Sequence, residues 1–185
     1  MGDEIIGKVE QRMDKAVEDL RHELATIRTG RASPALLDKL TVEYYGSSLP
    51  INQVASISVP EPRSLLITPF DRNAMGPIEK SIQKSDLGLT PNNDGVSIRL
   101  NIPPLTEERR KEFIKRCHKI VEDHRVAVRN IRRDANEDLK KHEKAHEVSE
   151  DDARRLQEKV QKLTDKYIVD MDKIQHVKEQ ELLEV

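Results

Sequence analysis

Residues 102–110, Ile102-Pro103-Pro104-Leu105-Thr106-Glu107-Glu108-Arg109-Arg110, divide the chain. The paired prolines end whatever strand precedes them, because proline supplies no backbone donor and restricts the residue before it. Thr106 then stands where it can cap a helix, and Glu107 and Glu108 give its first turn the charge that a helix N-terminus favours. Working back from this point, all nine prolines lie between Pro34 and Pro104, together with Gly30, Gly46, Gly76, Gly88 and Gly95. The other limit is Thr29-Gly30-Arg31, where Gly30 suits a helix C-terminal cap. Both flanks are therefore open to long helices, and the middle is not.

In the first flank, Ile6, Val9, Met13, Ala16, Leu20, Leu24 and Ile27 recur at steps of three and four, one apolar seam on a helix of about 25 residues. Beyond Thr106 a second seam runs Phe113, Cys117, Ile120, Val121, Val128, Ile131, Ala135 and Leu139. A third helix opens at Ser149-Glu150-Asp151-Asp152, close to a capping box, and carries Ala153, Leu156, Val160, Leu163, Tyr167, Met171, Ile174 and Val177. At about 1.5 Å per residue the last two helices reach on the order of 50 to 60 Å, the dimensions of a rod. Three such seams bury one another as a bundle. Between the flanks, Thr41–Tyr45, Ala55–Val59, Ser64–Thr68 and Val96–Leu100 are short β-prone runs, and Pro77–Ser85 reads as a short helix. The expected fold is α+β: an elongated three-helix bundle from residues 1–29 and 105–185, with a small β/α/β domain inserted at 30–104. Of the adjacent pair Tyr44 and Tyr45, one should face a core and one the surface.

Composition agrees with a rod. Of 185 residues, 36% are charged and 3% aromatic, with no Trp, too little to fill a thick core. No apolar run approaches the 18 or so residues that span a bilayer, so we expect a cytoplasmic protein without membrane contact. The single cysteine, Cys117, excludes an internal disulfide framework.

Charge is segregated. The net charge is −2 overall, yet residues 105–133 hold ten basic and five acidic groups, while residues 134–185 hold ten and fifteen. At about 100° per residue, Arg125, Arg129 and Arg132 fall within roughly 60° of one another, and Arg133 lies about 80° from Arg125. Arginine suits phosphate because its planar fork donates two hydrogen bonds to one group. A solvated face balanced by acids on neighbouring helices is the alternative. No aromatic RNA-recognition pattern accompanies the arginines, so base readout is not expected.

His142-Glu143-Lys144-Ala145-His146 matches HExxH, which would hold zinc on two imidazoles one turn apart. Asp152 stands where the third histidine of the extended pattern would be, and no dedicated third ligand is evident. We therefore expect no metal, no cofactor and no catalytic residues. Cys117 falls on the core stripe, no Ser, His and Asp set surrounds a nucleophile elbow, and no phosphate-binding loop is present.

Several blocks, Ile27-Arg28-Thr29-Gly30-Arg31-Ala32-Ser33-Pro34, Val42-Glu43-Tyr44-Tyr45-Gly46, Asp86-Leu87-Gly88-Leu89, Pro103 to Arg110 and Arg125 to Asn136, closely resemble the ribosome recycling factor family. The resemblance covers essentially the whole chain, and the HExxH stretch lies outside it. It implies an L-shaped protein, a three-helix bundle joined to an inserted β/α/β sandwich. It also implies a non-enzymatic role: disassembly of the post-termination ribosome together with the GTPase elongation factor G. By that analogy Arg110, Arg129 and Arg132, with Arg28 and Arg133 as neighbours, would grip RNA of the large subunit, and Arg125, from the helical stripe, is expected to join them. Gly30, Arg31, Pro103 and Pro104 would form a hinge, and the factor would act as a monomer. A coiled-coil adaptor without RNA binding and a zincin-like hydrolase are the rival readings of the same residues.

Overall fold

The computed structural model describes residues 1–184, which form two compact units, Met1–Arg28 with Thr106–Glu184, and Thr29–Leu105. Among the described residues no helix is long and apolar enough to cross a membrane.

The first unit is built from α1 (Gly2–Ala25), α4 (Glu107–Lys144) and α5 (Glu150–Leu183). Capping sets where the two long helices begin. The Thr106 hydroxyl oxygen accepts from the backbone N–H of Arg109 at 3.2 Å, and that of Ser149 from Asp152 at 3.1 Å, each satisfying one of the donors a helix start leaves unpaired. The α4 seam is buried from Cys117 to Leu139, and Val9, Met13, Leu20 and Leu24 of α1 close over it. Burying one such aliphatic side chain stabilises by roughly 1.5–3 kcal/mol, so the seams carry the bundle. Polar links fix the directions. Arg12 pairs with Asp134 and His124 with Glu23, so α1 and α4 are antiparallel, whereas Gly2 lies against Leu156 and the Tyr167 hydroxyl donates to Asp14 at 2.6 Å, so α1 and α5 run parallel.

Two expectations for this unit fail. Val177 is 58% exposed, and Gln175, buried at 8%, takes a place in the α5 seam. The helix period passes through Gln175, two residues earlier, and Val177 falls to the side. Secondly, α1 ends at Ala25 with Thr26 as its cap, so Gly30 caps nothing. Its φ of +77° turns the chain beside Leu105, whose Cγ is 3.5 Å from where a Cβ on Gly30 would sit.

In the second unit, β1 (Thr41–Tyr44) and β2 (Ser47–Pro50) form a hairpin. Its two-residue turn, Tyr45-Gly46, has positive φ at both positions, +50° and +78°, the geometry whose twist matches paired strands. A short helix, α2 (Ile51–Val54), leads into β3 (Ala55–Glu61), β4 (Ser64–Pro69), α3 (Met75–Lys84), β5 (Pro91–Asn93) and β6 (Ile98–Asn101). The sheet is antiparallel in the order β3-β4-β6-β5. Of its three strand prolines, Pro60 at a register irregularity and Pro91 fall on edge strands, where a missing donor leaves no neighbour unpaired, and Pro69 is the last residue of β4. Ile78 and Ile82 of α3 pack with Val42, Leu65, Ile67, Ile98 and Leu100 in one core. Tyr44 is half-buried and donates its hydroxyl to Asp71, while Tyr45 is 76% exposed. β2 and β5 lie outside the expected β-prone runs, because the polar residues around Ser47 and Asn92 read as turns.

Candidate nucleic-acid interface

The uninterrupted α4 carries Arg110, Arg125, Arg129, Arg132 and Arg133 on one rigid axis. The structure separates them by what they touch. Arg125 turns towards α5 and is largely covered, its side chain 20% exposed. It donates to Asp172 from Nε at 3.0 Å and from Nη2 at 2.5 Å, to Gln175 Oε1 at 2.8 Å, and to Glu122 at 3.2 Å. Burial alone would pull its pKa down, but the hydrogen bonds to Asp172 and Glu122 outweigh that and hold it above the usual value. Arg129 reaches back to Glu122 at 3.1 Å, and its hydrogen bond, with that from Arg125, keeps the Glu122 carboxyl below its ordinary range. Arg132 donates from Nη1 to Gln161 Oε1 at 2.9 Å. Its Nε is buried with no partner, as is Oδ1 of Asn136 one turn later. Arg133 is exposed with no partner among the described residues, and so is Arg28, just past α1. Arg110 is half-buried in the first turns of α4.

The four clustered arginines thus do not share one open face. Arg125 serves as a brace between helices, Arg129 and Arg132 are partly engaged and partly open, and Arg133 is open. The brace continues through Gln175. Because the Arg125 guanidinium can only donate, Oε1 of Gln175 must face it, and Nε2 must then donate to His118 Nδ1 at 2.9 Å and to Glu179 at 2.8 Å. His118 Nε2 in turn lies 2.7 Å from Glu179. Every polar atom of this buried amide is used, which a hydrophobic seam demands of any polar residue it admits. Sequence reasoning missed this role because helical periodicity gives the angle of Arg125 and not the identity of what lies across from it. It also passed over Lys115, Arg116 and Lys119, which are exposed on α4 without partners among the described residues.

Gly30 and Arg31 precede the inserted unit's first turn, and Pro103 and Pro104 lie exposed between β6 and α4. The HExxH stretch does not stay helical. α4 ends at Lys144, His146 lies beyond it with φ of +58°, and His142 is paired through Nδ1 with Glu147. The two imidazoles therefore do not share a helix face, and no three His, Cys, Asp or Glu residues among those described converge as metal ligands. Cys117 is buried, and that burial pushes its thiol pKa up, which leaves it a poor nucleophile.

Comparison with known proteins places the chain among relatives. The family model for ribosome recycling factor matches residues 20–183. The ribosome-recycling factor of Halalkalibacterium halodurans is 59% identical, and that of Bacillus licheniformis 58%, each over 185 residues and the full length of both chains. A solution structure of a ribosome recycling factor is 46% identical with a TM-score of 0.77, covering 100% of this chain and 98% of that one. A second, with 47% identity and a TM-score of 0.65 over the whole of both chains, belongs to models of the T. thermophilus ribosome recycling factor and E. coli elongation factor G bound to the E. coli post-termination complex.

Proposed function

The chain belongs to the ribosome recycling factor family, and on that premise we propose that it binds the post-termination ribosome and, with the GTPase elongation factor G, promotes its dissociation so that subunits, mRNA and tRNA are reused. The full-length match to relatives bearing that name is the observation that carries the reading. The bundle acts as the RNA-binding arm: Arg129, Arg132 and Arg133, with Arg28 and Arg110, contact phosphates of large-subunit RNA, and Arg125 keeps α4 and α5 in register beneath them. Three mutually buried seams supply the stiffness a wedge needs. The inserted unit, pivoting at Gly30, Arg31, Pro103 and Pro104, takes the push from the GTPase. The factor works in the cytoplasm as a monomer and performs no chemistry of its own. If about five phosphates are neutralised, log affinity falls with log salt at a slope of roughly −3.5, using the single-strand coefficient.

The test is sedimentation of post-termination ribosomes with the protein, with and without elongation factor G and GTP. Subunits should accumulate only when all three are present. The double variant Arg129→Ala, Arg132→Ala should bind large subunits at least tenfold more weakly, while Lys8→Ala on the exposed side of α1 should bind as the unaltered chain does. Equal binding by both variants would refute the arginine assignment, and no GTP-dependent splitting would refute the function.

A further inference from the structure

The C-terminal helix belongs to the acidic part of the chain, yet its outer surface is basic. With Val160 of the buried seam as origin, the helical period puts Arg155, Lys159, Lys162, Lys166 and Lys173 within about 60° of one another, roughly 150° round α5 from the seam. No acidic residue shares that arc between Arg155 and Lys173; Glu158, Asp165, Asp170 and Asp172 lie on its flanks. From Arg155 to Lys173 the five cations extend over 19 residues, about 27 Å of helix. All five are exposed. Arg155 pairs with Asp152 at 2.8 Å and Lys166 lies over the Tyr167 ring at 5.5 Å. Lys159, Lys162 and Lys173 have no partner among the described residues. Val169, 49% exposed, sits at the edge of the same strip, between Lys166 and Lys173.

We propose that this α5 strip is a second phosphate-contact surface, so that the bundle lies between two segments of folded ribosomal RNA, one along the arginines of α4 and one along α5. The inference rests on the ribosome-binding reading above. Charge complementarity selects the occupant: a row of five exposed cations, three of them unpaired among the described residues and none separated from the next by an acid on the same arc, attracts a linear polyanion. Lysines suit a surface that holds a backbone without fixed geometry, since each is a point charge on a flexible stem and not a bidentate fork. From Arg155 to Lys166 the surface also faces away from the seam that α1 and α4 cover, and Lys173, though exposed, borders a groove beside Arg21 and Leu24 of α1.

The test uses the full chain and purified large and small subunits at fixed magnesium. The triple variant Lys159→Gln, Lys162→Gln, Lys173→Gln removes three cations that pair with nothing among the described residues, so its thermal midpoint should be unchanged. Its salt slope for ribosome binding should be shallower by about 2, which means that between 50 and 200 mM salt the unaltered chain loses roughly 20-fold more affinity than the variant. A charge-matched control, Lys8→Gln, Lys15→Gln, Lys80→Gln, should keep the original slope. A cleavage probe tethered through Val169→Cys should cut RNA positions distinct from those cut from Val126→Cys on α4, with buried Cys117 left unmodified. An unchanged slope in the triple variant, while Arg129→Ala, Arg132→Ala still weakens binding, would overturn the second surface and leave the first intact. No effect from either variant would sink the ribosome-binding reading itself. If the triple variant instead lost affinity for isolated elongation factor G alone, the strip would belong to an acidic protein surface and the proposal would fall.

Discussion

Replacing Arg125 by alanine separates the two roles an arginine can have on α4. Its guanidinium makes four hydrogen bonds, to Asp172, Gln175 and Glu122. Asp172 and Glu122 are both about half exposed, so their ion pairs contribute only about 0.5 kcal/mol each after solvent screening. Gln175 is different, because its amide oxygen is left without a donor inside the seam, at a cost of about 1–3 kcal/mol. With some packing lost along the arginine stem, Arg125→Ala should destabilise the bundle by about 2–3 kcal/mol. At roughly 4 °C per kcal/mol for a unit of this size, its unfolding midpoint should fall by about 10 °C. A double-mutant cycle with Gln175→Ala should return a coupling of about 1 kcal/mol or more. The salt slope of ribosome binding should stay unchanged for Arg125→Ala and become shallower by about 0.7 for Arg133→Ala, whose side chain supports nothing in the fold. A midpoint within a degree of the unaltered chain, combined with a shallower slope, would refute the assignment of Arg125 as a brace.

Two further outcomes concern the inserted unit. The hydrogen bond from Tyr44, and one from the backbone of Asn73, hold the Asp71 carboxyl below its usual value, and the same contact pushes the Tyr44 hydroxyl up to about 12. A depressed carboxyl stabilises above its unfolded pKa, and that contribution disappears as pH falls through the lower folded value. A raised phenol stabilises below pH 10 and ceases to do so as pH climbs towards 12. Denaturant melts of the unaltered chain should therefore weaken at both extremes, and Tyr44→Phe should reduce the alkaline loss, leaving the part due to Tyr167, which burial and its bond to Asp14 also raise; an unchanged alkaline limb would show that the Tyr44 hydroxyl contact is not made in solution. Secondly, Gly46→Val should lower the insert's stability by about 1–2 kcal/mol, because a β-branched residue is forced to positive φ. Full retention of the unfolding midpoint would mean that the hairpin turn differs from the one described.

The helices were legible because Met13, Leu20, Cys117, Leu139, Val160 and Met171 belong to runs spaced by three and four residues, a spacing that gathers apolar groups on one side of a helix, and all six are buried. Strands β3 and β6 were legible from alternation, and β4 as a short apolar run, Leu65-Leu66-Ile67. β2 and β5 were not, since Ser47-Ser48-Leu49-Pro50 and Pro91-Asn92-Asn93 carry turn-forming residues whose pairing is imposed by β1 and β6. For the site, periodicity gave the angular positions of Arg125, Arg129 and Arg132 correctly but could not tell an open face from a flank pressed on α5. That distinction depends on Asp172, Gln175 and Gln161, which are close only once α5 folds back. Tyr45 escaped for a related reason: turns of its type advertise themselves through asparagine or glycine, and here an exposed tyrosine takes the first place.

Because Gly30 turns the chain directly beside Leu105, the insert starts and finishes at one spot, and all its core partners are continuous in sequence. During synthesis it can therefore collapse as soon as it leaves the exit tunnel. The opening helix has no such option: its greasy side meets its first partner only when α4 emerges, and it is not fully covered until the last residues of α5 are made, about 150 codons later. At about 5–20 residues per second that is roughly 8–30 s of exposure, so newborn copies of this factor should depend on chaperones that shield a lone amphipathic helix until the final stretch arrives.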